Sequence, residues 1–429
     1  MSNPAKATEN TGAAAPLPAR PLYTRLFADT RPLRESPEFR RLWLSSALSS
    51  IGSRMTAVAV PVQVYALTQS SFAVGMIGLA LAVPLIALGL PAGAFADAVD
   101  RRKLVLLTTA LLAVVSALFA VQAFFNLRQL WLLYVLIAVQ SALVAVDSPA
   151  RRAFTPRLLP PERIQAASAL SFLSFHIGLV AGPLLAGVLI ATTGLQAAYS
   201  VDAATFAVAI YAVLRLRPMR VRGDSGGMGL RAVTEGVRFI WRQPVLRMAM
   251  LVDLDATIFG MPFALFPALA ATHFGGGVQT VGWLYAAPAI GGFLSSVFSG
   301  PLAQVRRQGL AVLLAIAVWG AALSGFAVTR LLWLAVLLLA LAGAADVVNG
   351  VFRTTFLQVL APDALQGRVN SVGFVVGAGG PRLGDVEAGV VAQLTSPVFS
   401  AVSGGLACLA GVVVLGLLFP VFARYEARE

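Results

Sequence analysis

The chain is built on apolar stretches too long and too numerous for the interior of a soluble domain. From Trp43 onward they alternate with short charged or turn-rich breaks. Twelve can be marked, at roughly 43–67, 71–96, 104–125, 130–150, 164–192, 196–216, 246–272, 279–303, 309–328, 331–352, 369–394 and 397–423. A helix needs about 20 mainly apolar residues to cross the hydrocarbon core. Lipid offers the backbone no hydrogen-bond partner, so spans of this length are expected as helices and not strands. The predicted fold class is an all-α integral membrane protein with twelve transmembrane helices. Charged residues make up only 12% of the 429, about half the share of a soluble domain, which argues against a water-soluble enzyme. One cysteine, Cys408, and two histidines, His176 and His273, leave no intrachain disulfide and no CxxC or His-rich metal site. Neither a metal nor a cofactor is expected.

The net charge of +13 is a statement about topology. With the N-terminus placed inside, 28 of the 32 Lys and Arg residues fall in cytoplasmic segments. Arg128 and Arg330 occupy external loops, and Arg54 and Arg382 lie within spans. This bias predicts a multi-pass protein of the cell membrane with both termini cytoplasmic. Binding nucleic acid would require a basic face on a soluble module, and no such module is present.

Residues 1–40, with runs such as Ala13–Pro16 and Pro18–Pro21, read as a disordered cytoplasmic tail. A six-span unit at 41–216 and another at 246–424 are separated by a linker at 217–245, and 425–429 form a short cytoplasmic tail. The linker begins Gly-rich and flexible at Arg220–Gly229. It then places Leu230, Val233, Val237, Ile240 and Trp241 at helical spacing, with Arg231, Glu235, Arg238 and Arg242 mostly off that stripe. That pattern predicts a short amphipathic helix on the inner membrane surface.

The two units echo each other. Gly93-Ala94-Phe95-Ala96-Asp97 with Arg101-Arg102 follows span 2; Gly300-Pro301-Leu302-Ala303-Gln304 with Arg306-Arg307 follows span 8. Arg152…Leu158-Leu159-Pro160-Pro161-Glu162…Gln165 after span 4 matches Arg353…Val359-Leu360-Ala361-Pro362-Asp363…Gln366 after span 10. Two matches in order, at nearly one offset, argue for a duplicated six-helix unit. Parallel repeats of this kind build transporters with a midplane site between the halves.

On these residues the sequence resembles the major facilitator superfamily, which implies two pseudo-symmetric six-helix bundles. Gly93-x-x-Ala96-Asp97-x-x-x-Arg101-Arg102 is similar to its loop 2–3 signature, implying a cytoplasmic gate that Asp97, Arg101 and Arg102 latch. Asp147 with Arg151, and Asp346 with Arg353, are assigned to the same gate. Gln304 replaces the acid in the second copy, so a matching latch there is in doubt. Gly178-x-x-x-Gly182-Pro183-x-x-x-Gly187 resembles a motif of antiporter members; small residues at this spacing make a smooth packing face. Asp147-Ser148-Pro149-Ala150-Arg151, Asp253-Leu254-Asp255-Ala256-Thr257, Phe259-Gly260-Met261-Pro262 and Leu383-Gly384-Asp385-Val386-Glu387-Ala388-Gly389 are similar to the subgroup containing enterobactin exporters and macrolide and multidrug efflux pumps.

Ionisable residues inside spans are costly and are functional candidates by default. Arg54, Asp253, Asp255, Arg382, Asp385 and Glu387 form the expected proton-coupling and central-cavity set, led by Asp253 and Asp255. Arg382 and Asp385 are spaced for an in-helix ion pair. Asp202, near the outer end of span 6, is read as hydrated or locally paired, and His176 as a packing residue. Gly377–Pro381 is expected to weaken span 11 and mark a kink. Phe172, Phe175, Phe259, Phe263 and Phe266 could stack on an aromatic cargo, or simply pack. No GxxxxGK[ST] pattern occurs, so direct ATP hydrolysis is not expected. The expectation is a monomeric secondary exporter of a small molecule, a siderophore or an amphipathic drug, coupled to protons. A multidrug pump, or a sensor or channel on the same scaffold, stays open; an enzyme is not expected.

Overall fold

The computed structural model describes residues 29–152, 154–216 and 230–426; at 89–98, 152, 230–233, 303 and 363–364 only the backbone is described. A short α1 (Arg31–Glu35) leads into α2 (Pro37–Thr68), α3 (Ser71–Ala98), α4 (Arg101–Phe124) and α5 (Leu130–Arg152). The single turn α6 (Thr155–Leu158) precedes α7 (Pro161–Thr193) and α8 (Leu195–Leu214). The linker helix α9 (Leu230–Arg242) is followed by α10 (Pro244–Phe259), a 3₁₀ turn (Pro262–Leu265) and α11 (Phe266–Thr272). Then come α12 (Val278–Val297), α13 (Gln308–Val328), α14 (Leu332–Leu360), α15 (Asp363–Leu394), α16 (Pro397–Leu418) and the short α17 (Pro420–Ala423). Among the described residues there is no strand.

The helix boundaries have local causes. Ser36, Ser70 and Ser396 accept hydrogen bonds from the backbone amides of Phe39, Ala73 and Phe399 at 3.2, 3.3 and 3.1 Å. Asp100 accepts from the amides of Arg102 and Lys103 at 2.9 and 3.3 Å. Each bond satisfies a donor the first helical turn cannot. Between α7 and α8 the chain turns on Gly194 at φ 92°, a conformation that a β-carbon disfavours.

Nine helical segments among the described residues are long and apolar enough to cross a membrane. In α4, Leu107, Leu111, Val114, Leu118 and Val121 point outward while Leu104, Leu112, Val115 and Phe119 are buried. A helix apolar on both faces belongs in lipid. The remaining long helices, α2, α12 and α15, span 32, 20 and 32 residues. Their apolar runs are diluted by Ser, Gln, Gly and charge, and they lie between other helices, where contact with lipid is reduced.

The second half repeats the packing of the first. Pairs α2–α7, α2–α8, α3–α5 and α4–α8 have counterparts six spans later in α10–α15, α10–α16, α12–α14 and α13–α16. The halves meet along α3–α15 and α7–α12. The ends bearing Arg151, Arg163, Arg247, Arg306 and Arg424 lie together and are called here the basic end. At the opposite end the halves are closed. Ser70 donates to Gln393 at 2.9 Å, and a β-carbon on Gly389 would stand 3.1 Å from Phe72 Cα. One on Gly187 would stand 3.2 Å from Gln279 Cα.

Three elements differ from expectation. Residues 1–28 of the expected tail lie outside the described residues, as do 217–229 of the linker, but residues 31–35 and 37–40 are helical. Phe39 is buried with Leu159, Ala167 and Leu170, and Glu35 pairs with Arg163 at 2.6 Å. Arg31 bonds Asp29 at 2.8 Å, and that bond holds the Asp29 carboxyl below the usual carboxylate range. Contacts with the start of α7 order a segment whose composition suggests a tail. Second, α15 runs unbroken through Gly377–Pro381 although the ladder is expected to weaken there; a bend at Pro381 is compatible with that continuity. Third, the interruption falls in span 7, at Gly260-Met261-Pro262, where Pro262 lacks the amide needed to continue the ladder.

Candidate transport site between the two halves

The break in span 7 frees backbone groups that membrane cannot satisfy, and neighbouring spans supply the partners. Trp319 of α13 donates its indole N–H to the Gly260 carbonyl at 2.7 Å. Asp385 of α15 accepts from the Ala264 amide at 3.2 Å, and Arg382 Nη1 stands 3.8 Å from the same carboxylate. Asp385 is thereby fixed as the strut of a broken helix. Tyr285 donates to the Phe263 carbonyl at 3.0 Å and completes the corner.

Arg54 lies midway along α2, half-buried. Its guanidinium stands 5.3 Å from the centre of the Phe175 ring, a cation–π distance. It makes no hydrogen bond or ion pair to the described residues. Arg382 of the other half lies within electrostatic reach of it and keeps 38% of its side chain exposed. An aromatic bridge crosses between the halves beside this pair. His176 packs 4.2 Å from Phe172, 5.7 Å from Phe175 and 5.8 Å from Phe293 of α12, centroid to centroid. Its Nδ1 is buried without a hydrogen bond. Phe172 and Phe175 remain 52% and 47% exposed. The centre of the molecule thus presents two cations, one from each half, beside aromatic surface. Phe259, Phe263 and Phe266 instead belong to the span 7 corner, where Phe263 and Phe266 pack on Tyr285.

The acidic candidates separate into different environments. Asp253 is 1% exposed; it accepts from Asn349 at 2.9 Å and forms an ion pair with Arg353. Asp346 lies within electrostatic reach of both charges. Sequence reasoning grouped Asp253 with Arg54, whereas the structure joins it to Asp346 and Arg353 towards the basic end. Asp255 projects to another side of α10, against Gly411 of α16, and its Oδ2 is buried without a hydrogen bond. Glu387 is half-buried and makes no hydrogen bond or ion pair to the described residues.

At the gate positions, Gly93 and Asp97 lie in the last turns of α3, and their side chains are outside the described set. Arg102 donates to the carbonyls of Val213 and Leu214 at 3.4 and 2.8 Å, closing the end of α8 in its own half. Arg101 follows Asp100 at the start of α4. Asp147 forms an ion pair with Arg151 and accepts from Thr108 at 2.6 Å; Arg151 also donates to Thr109 at 2.6 Å. The glycine motif of α7 serves two partners. Gly178 and Gly182 meet Ser50 and Ile51 of α2, while Pro183 and Gly187 meet Gly282 of α12 across the halves.

Two polar networks were not assembled from the sequence. Asp202 is fully buried and accepts from Thr56 at 2.7 Å and Ser116 at 2.8 Å, so its side chain is paired across spans in the interior and not at the outer surface. Gln63 and Gln122 exchange bonds at 2.9 Å, with the Tyr199 hydroxyl donating to Gln63 at 2.8 Å. Polar residues recurring within apolar spans were the available signal; which spans adjoin was not.

The model of the family described as "Transmembrane secretion effector" matches residues 28–427. The chain belongs to this family. Among similar curated proteins is the enterobactin exporter EntS of Escherichia coli O1:K1 / APEC, 28% identical over 387 residues, covering 90% of this chain and 92% of the relative. The EntS of Citrobacter koseri is 28% identical over 390 residues with the same coverage. Among solved structures, the nucleoside transporter NupG aligns with a TM-score of 0.71 at 14% identity over 90% of this chain and 99% of that one. A bacterial homologue of the lysosomal transporter Spinster, inward-facing and unoccupied, aligns with a TM-score of 0.69 at 16% identity over 92% and 97%. These structural likenesses bear on the fold. This family member is a multi-pass transporter of the major facilitator superfamily, embedded in the inner membrane and handling a small molecule, and is not an enzyme.

Proposed function

We propose that the chain exports an acidic, aromatic small molecule of the siderophore class by alternating access, with protons as the counter-ion. The observation that carries the reading is the pair Arg54 and Arg382, one cation from each half at mid-depth. Arg54 has no carboxylate partner among the described residues, and Arg382 has one at 3.8 Å. Charges in a membrane interior normally find an opposite charge or water; here an anionic cargo supplies the charge that Arg54 lacks and adds to the one Asp385 gives Arg382. Phe175 and Phe172 offer ring surface beside it. The similarity to enterobactin exporters agrees with such a cargo.

In this reading all twelve long segments cross the membrane as two six-helix bundles, at 41–216 and 246–424, in a monomer. The basic end is cytoplasmic, as the positive-inside rule requires, so closure at the opposite end makes this a state shut to the outside. Glu387 and Asp255, carboxylates without a cationic partner among the described residues, carry the proton. Asp253, held by Arg353 and Asn349, serves the gate with Asp346.

Reconstituted protein in proteoliposomes with an imposed proton gradient tests the reading. Uphill movement of a catecholate siderophore is expected, lost on collapse of the gradient and reduced at least about tenfold in Arg54→Gln, as expected when a buried charge partner worth about 1.4 kcal/mol or more is removed. Uphill movement that survives an uncoupler rejects proton coupling. Transport of a cationic dye that Arg54→Gln leaves intact favours a multidrug pump. Downhill flux alone favours a channel, and no flux of any compound a sensor.

A further inference from the structure

A groove of about 790 Å³ opens at the basic end between α9, the start of α10 and the end of α16. Among the described residues, Arg238, Arg242 and Arg247 line it and no acidic side chain does. Its apolar floor is Val237, Trp241, Leu251 and Phe419. The orientation of α9 explains the segregation. Gly236 and Ile240 are buried, with Gly236 against the backbone of Arg368 on α15, and Glu235 pairs with Arg368. The acid is therefore turned to the protein, while Val237 and Trp241, 42% and 54% exposed, face the groove with the arginines.

Arg247 is held in the groove with one donor unpaired. Its guanidinium lies 5.2 Å from the Phe419 ring centre, and Nη1 reaches the Trp241 carbonyl only at 3.5 Å. Its Nε is buried with no hydrogen-bond partner, an arrangement that favours an added acceptor. A cluster of cations above an apolar, Trp-bearing floor at a membrane boundary matches one chemistry, a phosphodiester joined to acyl chains.

We propose that this groove binds the headgroup of an anionic phospholipid, with the phosphate on Arg242 and Arg247 and an acyl chain along Trp241 and Phe419. The lipid pins the linker helix to the membrane and to the second half. The site is separate from the central cations and does not depend on which cargo the transporter carries.

The test uses the full chain in nanodiscs. The fluorescence difference between wild type and Trp241→Phe isolates the Trp241 signal. Brominated phosphatidylglycerol is expected to quench that signal more than brominated phosphatidylcholine at equal content. Neutralising arginines should reduce the preference by about fivefold each. Arg238→Gln and Arg242→Gln are at exposed positions, so they provide the readout if a triple variant with Arg247→Gln fails to fold. Equal quenching by the two lipids overturns the proposal, as does a preference that survives both exposed substitutions. Competition by millimolar inorganic phosphate also overturns it, assigning the groove to a soluble anion.

Discussion

A buried carboxylate depends on its partners more than on its own chemistry, and Asp253 illustrates this. Removing Arg353 leaves the Asp253 charge with Asn349 as its remaining side-chain partner among the described residues. Breaking a buried pair in this way costs about 3–5 kcal/mol. Arg353→Ala should therefore destabilise the protein strongly in an SDS-unfolding titration, and Asp253→Asn added to it should restore much of the loss. Independent, additive losses would remove the pair from the account. Arg54 was legible as an isolated charge because it stands alone in an apolar span. Asp253 was legible as a buried acid, but its partner lies 100 positions away on another helix, and spacing along one helix does not reveal that. Asp202 was misread for the same reason: Thr56 and Ser116 come from two other spans.

At the scale of one element, span 7 is the informative case. Its break is stable because Trp319 and Asp385 take the freed carbonyl and amide. Trp319→Phe strands a buried carbonyl and should cost about 1–3 kcal/mol, read in the same titration. Asp385→Asn keeps an acceptor and should cost less than Asp385→Ala; the reverse order would mean that the charge, and not the cap, is what the corner uses. The sequence held both break-prone runs, Gly260-Met261-Pro262 and Gly377–Pro381. Only the first interrupts a helix. In α15 the ring of Pro381 is accommodated within a continuous helix, and propensity alone does not distinguish the two. The glycine motif of α7 teaches a related lesson. Its spacing announces a smooth face, but Gly182 meets α2 and Gly187 meets α12, so the motif joins two interfaces.

For the whole molecule, the closed end is the testable feature. Ser70→Cys and Gln393→Cys, joined by a short reducible crosslinker, should arrest transport, and cleavage of the linker should restore it. Cys408 is buried and should not compete for the reagent. Unchanged transport in the linked protein would mean that this end does not open during the cycle. Gly389→Leu should act in the opposite sense, since its β-carbon already meets the Phe72 backbone. Labelling of Ser71→Cys by a membrane-impermeant maleimide should then rise, with the protein still folded.

The two central arginines, within electrostatic reach of each other, also have a consequence when nothing is bound. On the proposed reading, the cargo-free return brings Arg54 and Arg382 through an occluded state with no cargo anion beside them; like charges at low dielectric resist that approach, and Asp385, 3.8 Å from Arg382, offsets part of the repulsion. In the proposed exchange cycle the cargo-free return, and not the loaded stroke, is then the slow step. On that reading the pair bears on how fast the transporter turns over, and not only on which cargo it accepts.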